Sequence, residues 1–381
     1  MFWLNFKKIC LILLNMEFKF PQKTKVFLVT SNNQEFFKKI IDKKFKLFNM
    51  DKLNFYILIL LLIKKKNFSK DFYLNYLEIY LKFSNSKVFI STIDNNPIYW
   101  SLKKRIPTLK VVIIQNGWRF KRGDIFDNKS LISKKNYQVD YFFTFNSSIS
   151  KLYSKYVKAN FVEIGSYRNN LIPIKRNNKN NKILFISEFI NLKKKFKNKS
   201  SIISNNEYFK PEIILLPVLK KICKRYNLNL EILPRTFSQS EYLFFKKYLG
   251  KDGWKFNNKI KNPYKYVDDA NIVIFTSSTL GYEAIARKKK VLGFSCKIAP
   301  DFPNKKYSRS FAWPVYSHTK KSFFWSNKID LKIFKKNFYK LIKMNKDDWD
   351  KKISHFKDDI MIYDRNNLKL RKIVFKVCKN I

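Results

Sequence analysis

The sequence predicts an α/β protein built from two doubly wound, Rossmann-type halves that face a central cleft. Three observations carry that expectation. Short β-rich runs alternate with amphipathic helical stretches from about Lys25 onward, one polar segment interrupts the alternation, and 381 residues suffice for two cores of ordinary size. In the first series V-F-L-V-T reads as a strand and Q-E-F-F-K-K-I-I-D as a helix. The run F-Y-I-L-I-L-L-L from Phe55 reads as a further β-rich element, D-F-Y-L-N-Y-L-E-I-Y-L as a helix, and K-V-F-I-S-T and V-V-I-I-Q as strands. Y-F-F-T-F-N, a helix through S-S-I-S-K-L-Y-S-K-Y, and N-F-V-E-I-G-S complete it.

The stretch from Ile172 to Lys182, I-P-I-K-R-N-N-K-N-N-K, has no periodicity and reads as a linker. A second series follows: I-L-F-I-S, the helix P-E-I-I-L-L-P-V-L-K-K-I-C-K-R-Y, the strand L-N-L-E-I-L, the helix Q-S-E-Y-L-F-F-K-K-Y-L, the strand N-I-V-I-F-T, the helix L-G-Y-E-A-I-A-R and the strand K-V-L-G-F-S. This divides the chain into an N-terminal domain at 1–172, a linker at 173–182, a C-terminal domain at 183–350 and a charged helical tail at 351–381, able to fold back over the other domain.

Composition narrows the function. Lys and Arg number 79 against 28 Asp and Glu, a formal charge of +51. Lysine, asparagine, isoleucine and phenylalanine are all inflated, glycine, alanine and arginine are scarce, and lysine is spread along the whole chain. That pattern reflects coding bias more than one binding face, so specific nucleic-acid recognition is not expected, whereas salt-screened attraction to an anionic membrane surface is. Cys10, Cys223, Cys296 and Cys378 lie far apart with no metal-ligand spacing, which points to a reducing cytoplasm rather than a disulfide framework. The longest apolar run, Phe55 to Ile63, falls well short of the roughly 20 residues a spanning helix needs. The N-terminal I-C-L-I-L-L lacks a small-residue cleavage site, so no secretory signal is expected.

One stretch stands out in a chain with only 7 glycines: T-S-S-T-L-G-Y-E-A-I-A-R-K-K-K, Thr276 to Lys290, directly after the apolar run A-N-I-V-I-F. In an open parallel sheet, ligands bind beyond the carboxyl ends of the strands, where loops lead into helices. Hydroxyls there can cap the helix, and its free N–H groups suit a phosphate. Gly281 permits close approach of a ligand or a neighbouring strand, and Glu283, expected in the first turn, can accept hydrogen bonds from sugar or ribose hydroxyls. An ordinary N-cap, a packing glycine and a dipole-favoured glutamate account for the same residues.

The stretch resembles the donor-site motif of GT-B glycosyltransferase-like proteins, especially the bacterial surface-carbohydrate (O-antigen or capsule) biosynthesis proteins. F-I-S-T-I-D-N-N-P-I-Y-W (Phe89 to Trp100) and V-V-I-I-Q-N-G-W-R (Val111 to Arg119) resemble that family's strand-end motifs, and V-E-I-G-S-Y-R-N-N its hinge motif. With the aromatic F-A-W-P-V-Y … F-F-W-S segment, the similarity covers most of residues 25–350. The resemblance implies that Ser277, Ser278 and Thr279 ligate the diphosphate of a nucleotide-activated donor, that Glu283 accepts its hydroxyls, and that the acceptor binds the N-terminal domain.

Other residues join on that basis, each with a plainer alternative. Asp94, at the end of a strand, can deprotonate an acceptor hydroxyl as general base, or form an Asx-turn or helix cap within D-N-N-P. Gln115, Asn116 and Arg119 around Gly117 suit acceptor recognition, or make a plain turn. Gly165, Ser166 and Arg168 can form a hinge whose N–H groups face the donor phosphates, or a mere connector. Arg235 can meet a nucleotide phosphate, or pair with Glu241. His318 and His355 are the only histidines and no D-x-D follows a strand, so no metal is expected and charge on the leaving diphosphate falls to helix dipole and basic groups. The lysine runs at 193–195 and 288–290 read as solvated faces or as sites.

The function expected is a metal-independent glycosyltransferase that moves a sugar from a nucleotide-activated donor, its only co-substrate, to a surface glycan or lipid-linked glycan, in the cytoplasm or peripherally at the inner membrane face. A polyol-phosphate transferase or a nucleotide-sugar epimerase on the same scaffold, and a basic nucleic-acid-binding protein, are the alternatives.

Overall fold

The structure, a computed structural model, describes residues 16–30, 34–41, 45–48, 52–64, 71–119, 124–127, 137–175, 181–192, 204–258, 262–294, 297–298, 308–309 and 322–380. Cys10, Cys296, His318, the Lys193–Lys195 run and the F-A-W-P-V-Y segment lie outside the described residues.

The first half contains β1 (Val26–Val29), α1 (Gln34–Ile40), β2 (Phe45–Leu47), α2 (Phe55–Ile63), α3 (Phe72–Phe83), β3 (Val88–Ser91), α4 (Pro97–Arg105), β4 (Lys110–Ile114), β5 (Tyr137–Thr144), α5 (Ser147–Tyr153), β6 (Val157–Glu163) and α6 (Tyr167–Asn170). Its six strands pair in parallel in the order β2-β1-β3-β4-β5-β6. The inner strands are apolar on both faces because both are covered, as a parallel sheet requires. Phe27, Phe89, Val111 and Ile113 point into one layer with α3 and α4; Val26, Leu28, Val88, Ile90, Val112 and Ile114 point into the other with α1.

The apolar run from Phe55 is a helix, not the β-rich element its composition suggested. Asn54 caps it by accepting a hydrogen bond from the Ile57 N–H, only Ile57 and Leu61 are buried in it, and Leu62 and Ile63 stay exposed. A short uniformly apolar run carries no periodicity to separate helix from strand, and here the capping asparagine decides.

The second half contains β7 (Lys182–Ile186), α7 (Lys210–Arg225), β8 (Asn229–Leu233), α8 (Gln239–Leu249), β9 (Lys255–Phe256), α9 (Pro263–Asp269), β10 (Ile272–Phe275), α10 (Thr279–Ala286), β11 (Lys290–Phe294) and β12 (Trp325–Ser326). These strands also pair in parallel, in the order β9-β8-β7-β10-β11-β12. That is the doubly wound order 3-2-1-4-5-6, whose winding reverses between the first and fourth strands, here β7 and β10. Register joins Ile183 of β7 to Ile272 of β10 and Leu230 of β8.

Three helices follow: α11 (Leu331–Lys343), α12 (Lys346–Ser354) and α13 (Leu368–Lys379). The first two cover the second half through Phe334, Phe338, Leu341, Trp349 and Ile353. α12 spans the expected boundary at 350/351 and packs on the C-terminal core through Trp349 and Ile353; the crossing comes later, where the Ser148 N–H and the Asn146 amide donate to the Asp358 and Asp359 carbonyls. α13 then lays Leu370, Val374, Val377 and Cys378 on the outer layer of the N-terminal sheet. Among the described residues no helix is long and apolar enough to cross a membrane.

Candidate functional site

The chemistry gathers where the carboxyl edges of the two sheets meet. On the C-terminal half the winding reverses between β7 and β10, and the residues that follow these strands touch one another there. Thr276 and Ser277, just past β10, donate their hydroxyls to Oε2 of Glu188, two residues past β7, at 2.7 and 2.5 Å. Thr276 also lies 3.4 Å from Oε1 of Glu212 on α7. Glu188 and Glu212 were not foreseen. The signal was a glutamate directly after I-L-F-I-S, the first strand of a doubly wound half, which is a cleft position.

The loop from Thr276 to Thr279 therefore divides its hydroxyls. Those of Thr276 and Ser277 are committed to Glu188, and that of Thr279 accepts the Trp118 N–H from the other half at 3.0 Å. Ser278 is the N-cap of α10 by backbone, half-buried, and its hydroxyl makes no capping bond. Among the described residues it alone of the three expected phosphate ligands keeps its hydroxyl uncommitted at the helix's positive end. The loop after β8 lies on the same edge. Glu241, fully buried, accepts the backbone N–H groups of Arg235, Thr236 and Phe237 and the Ser187 hydroxyl. The surface ion pair between Arg235 and Glu241 is thus replaced by a backbone clamp, and the Arg235 guanidinium stays exposed.

Gly281 and Glu283 do other work than expected. A methyl group on Gly281 would come within 2.2 Å of the Phe275 ring, so this glycine serves the packing of α10 on its own strand. Glu283 lies in the second turn of α10 rather than the first, and is buried. Its oxygens accept the Ser166 hydroxyl at 2.5 Å and the Tyr264 hydroxyl at 3.1 Å. Burial raises its pKa against the lowering by these two hydrogen bonds and by Arg168 and Arg287. As it stands Glu283 ties the two halves together and presents no oxygen to a ligand.

The N-terminal edge is more tightly knit. Asp94 is fully buried and its carboxylate receives four hydrogen bonds: Arg119 Nε at 2.7 Å, Arg119 Nη2 at 2.6 Å, the Tyr153 hydroxyl at 2.7 Å and the Asn116 N–H at 3.1 Å. Burial and the Asp94 charge hold the Tyr153 phenol well above its ordinary pKa. A carboxylate so engaged cannot take up an acceptor's proton without first releasing a donor, which corrects the expectation of a general base: Asp94 anchors Arg119. Nor does it cap α4; Asn96 does, accepting from the Ile98 N–H with Pro97 in the first turn. Gln115 bridges the Gly117 carbonyl and the Phe145 N–H and is buried, so it shapes the loop. Gly117 does not use the left-handed region, and a methyl group there would meet only the Arg119 guanidinium at an ordinary 3.8 Å.

The junction around Gly165 is closed. Gly165 has φ +71°, and any side chain there would strike the Ile362 carbonyl, because residues 362–363 pass directly over it in a bridge to Tyr363. Its conformational freedom permits this close approach rather than a swinging hinge. Ser166 caps α6 while donating to Glu283. Arg168 lies over the Tyr167 ring at 5.7 Å, half-buried. Nearby, Arg287 is fully buried and joins Asp268 at 2.5 Å to Asn169 and to the Ile172 and Pro173 carbonyls, which fastens the start of the linker. Trp118 stacks on Tyr282 across the halves, centroids 3.9 Å apart and 10° from parallel.

Comparison with known proteins agrees with this architecture. A variant of the wall teichoic acid polymerase TagF shares 11% identity at a TM-score of 0.50, over 95% of this chain and 90% of that one. A "putative UDP-N-acetylglucosamine 2-epimerase" from Listeria monocytogenes shares 11% at 0.52, over 92% and 95%. A glycosyltransferase from Rickettsia africae shares 11% at 0.48, over 95% and 100%. At such identities the likeness to the first two is one of fold, two Rossmann-like domains in the GT-B manner. No curated protein matches the sequence. A family model described as "putative O-antigen biosynthesis protein" matches residues 112–377, from the fourth strand of the first sheet to α13. With that match spanning well over half its length, the chain belongs to this O-antigen biosynthesis family.

Proposed function

We propose that this chain is a GT-B-type glycosyltransferase that moves a sugar from a nucleotide-activated donor onto a growing surface glycan, with the donor diphosphate over the first turn of α10. The observation that carries the reading is that the S-S-T loop, the start of α10 and Glu188 coincide with the reversal of winding in the C-terminal sheet. Family membership supports the surface-glycan context.

In this reading the N–H groups at the start of α10 and the Ser278 hydroxyl bind the diphosphate, and the exposed Arg235 guanidinium closes on it from the β8 loop. The acceptor lies against the loop 115–119 of the other half, where Asp94 holds Arg119 as a positioning residue. The acceptor oxygen bonds to the anomeric carbon, and the bond from that carbon to the diphosphate breaks with its electron pair on the diphosphate. The acceptor's proton passes to Glu188, the carboxylate at the switch point. Helix dipole and guanidinium offset the leaving charge without a metal. Attraction of so basic a surface to anionic lipid brings the enzyme to the membrane face where such acceptors are held.

Thermal stabilisation by CMP, CDP, UDP, GDP and ADP tests the donor site, with Ser278→Ala and Glu188→Gln alongside. One nucleotide raises the Tm, and Ser278→Ala reduces the rise; a folded protein that responds to none overturns the reading. A second reading, a nucleotide-sugar epimerase, is favoured by one observation: Glu188 and Glu212 converge on Thr276, a pair of carboxylates suited to acid and base. Incubation with the donor sugar alone separates the two, since only an epimerase converts it without an acceptor.

A further inference from the structure

The amino edge of the C-terminal sheet, opposite the proposed donor site, carries a cavity of about 580 Å3. Its wall comes from four stretches remote in sequence: the start of the linker at Lys175, Asn271 just before β10, the run from Arg287 to Lys290 that leads into β11, and the turn between α11 and α12. Seven of its lining residues are basic and none is acidic, which leaves its charge uncompensated from within.

Coding bias supplies scattered lysines, but three features go beyond it. Lys289 is only 7% exposed, with Nζ 2.7 Å from the Asp268 carbonyl; burial pushes its pKa down to about 8, Asp268 and Asp269 oppose the fall, and Lys290 and Lys346 add to it. Lys288 occupies the left-handed position that ends α10, φ +59°, with the Lys289 N–H returning to the Ala284 carbonyl. Glycine or asparagine ordinarily takes that position, and after α3 and α7 the chain does use Asn85 and Asn227. Here it keeps a lysine despite the strain, beside the cavity. Finally, Arg287 is occupied by Asp268, and Lys290 by the Leu341 and Met344 carbonyls, but the ammonium groups of Lys175, Lys288, Lys343 and Lys346 pair with no carboxylate among the described residues. Asp347 and Asp348 follow in the first turn of α12 but do not line the cavity.

We propose that this cavity binds a phosphate-bearing anion of at least two negative charges, with Lys289 as its buried floor and Lys288, Lys343 and Lys346 reaching over it. The shared chemistry is a compact polyanion, either a diphosphate free in solution or the headgroup of an anionic lipid.

Calorimetric titration with pyrophosphate, and sedimentation with vesicles of phosphatidylcholine containing cardiolipin, whose headgroup carries two phosphates, against phosphatidylcholine alone, distinguish those sources at an ionic strength of about 0.15 M, where charges beyond about 8 Å are screened. Lys343→Ala/Lys346→Ala should weaken whichever probe the wild type binds by roughly tenfold or more, since two charge-assisted contacts are lost. The control removes the same charge from exposed positions of α11 outside the cavity: Lys335→Ala/Lys336→Ala should stay within about twofold, as screened surface charges do. Equal weakening in both pairs means diffuse attraction and overturns the proposal, as does failure to bind either probe. Loss of pyrophosphate binding in Ser278→Ala but not in the lysine pair assigns that anion to the donor loop and also overturns it.

Discussion

The carboxyl edges of the two sheets are built from the same kinds of residue and finished differently. On the N-terminal edge, Asp94 has four donors and Arg119 is only 12% exposed at its side chain. On the C-terminal edge, Glu188 is half-buried beside its two hydroxyl donors, Ser278 keeps its hydroxyl, and Arg235 reaches into solvent. A saturated buried ion pair is a scaffold, because every lone pair that recognition needs is already used. The hydroxyl of an N-cap residue such as Ser278 and an exposed guanidinium such as that of Arg235, at a strand edge, are what a ligand can complete.

The largest effect expected from that contrast is on stability. Asp94→Ala leaves Arg119 buried without its counter-charge and should cost about 3–5 kcal/mol in denaturant unfolding. Asp94→Ala/Arg119→Met should recover much of the loss; if the double variant is no better than the single one, the pair is not what matters there. Glu188→Gln should do the reverse, lowering turnover by roughly 100-fold, about 2.7 kcal/mol of barrier, with little change in Tm. A variant that keeps its rate would erase the distinction between the edges.

Next comes Gly281→Ala, which drives a methyl group into the Phe275 ring and should cost about 1–3 kcal/mol by overpacking. Trimming the ring, as Gly281→Ala/Phe275→Leu, should return part of it, whereas a glycine kept for a ligand would show a loss of nucleotide binding with no loss of stability. The smallest effect concerns Glu283. Its pKa is raised in the folded state by burial, so the contribution of this one group to stability is complete below the ordinary glutamate value and is lost as pH rises through the folded value. Glu283→Gln should remove that component from the pH profile of Tm just above pH 4.5; an unchanged profile would mean that burial does not govern this carboxyl.

Periodicity and turn chemistry made most of the fold legible, since buried parallel strands must be continuously apolar and their covering helices amphipathic. Phe55 to Ile63 defeated that reading because all nine positions are apolar. The site was legible as a place and not as a set of contacts. The S-S-T loop follows its strand as expected, but its partners Glu188 and Glu212 are 88 and 64 residues from Thr276. Nothing local in the sequence says that Asp94 will meet Arg119, 25 residues on, or that Glu283 will face Ser166, 117 residues back. Spacing reports which edge of a sheet a residue reaches; the commitment of its oxygens is decided by the other half of the molecule.

The return of α13 to the first sheet has a consequence for how the chain is made. The layer formed by Val26, Leu28, Val88, Ile90, Val112 and Ile114 shares a core with Leu370, Val374 and Val377. Some 200 residues separate those helix positions from β6, so at translation rates of about 5–20 residues per second the first half waits on the order of tens of seconds with one flank uncovered. Until then that apolar layer is open to wrong contacts, and an N-terminal half made without residues 368–379 would lack part of its own core.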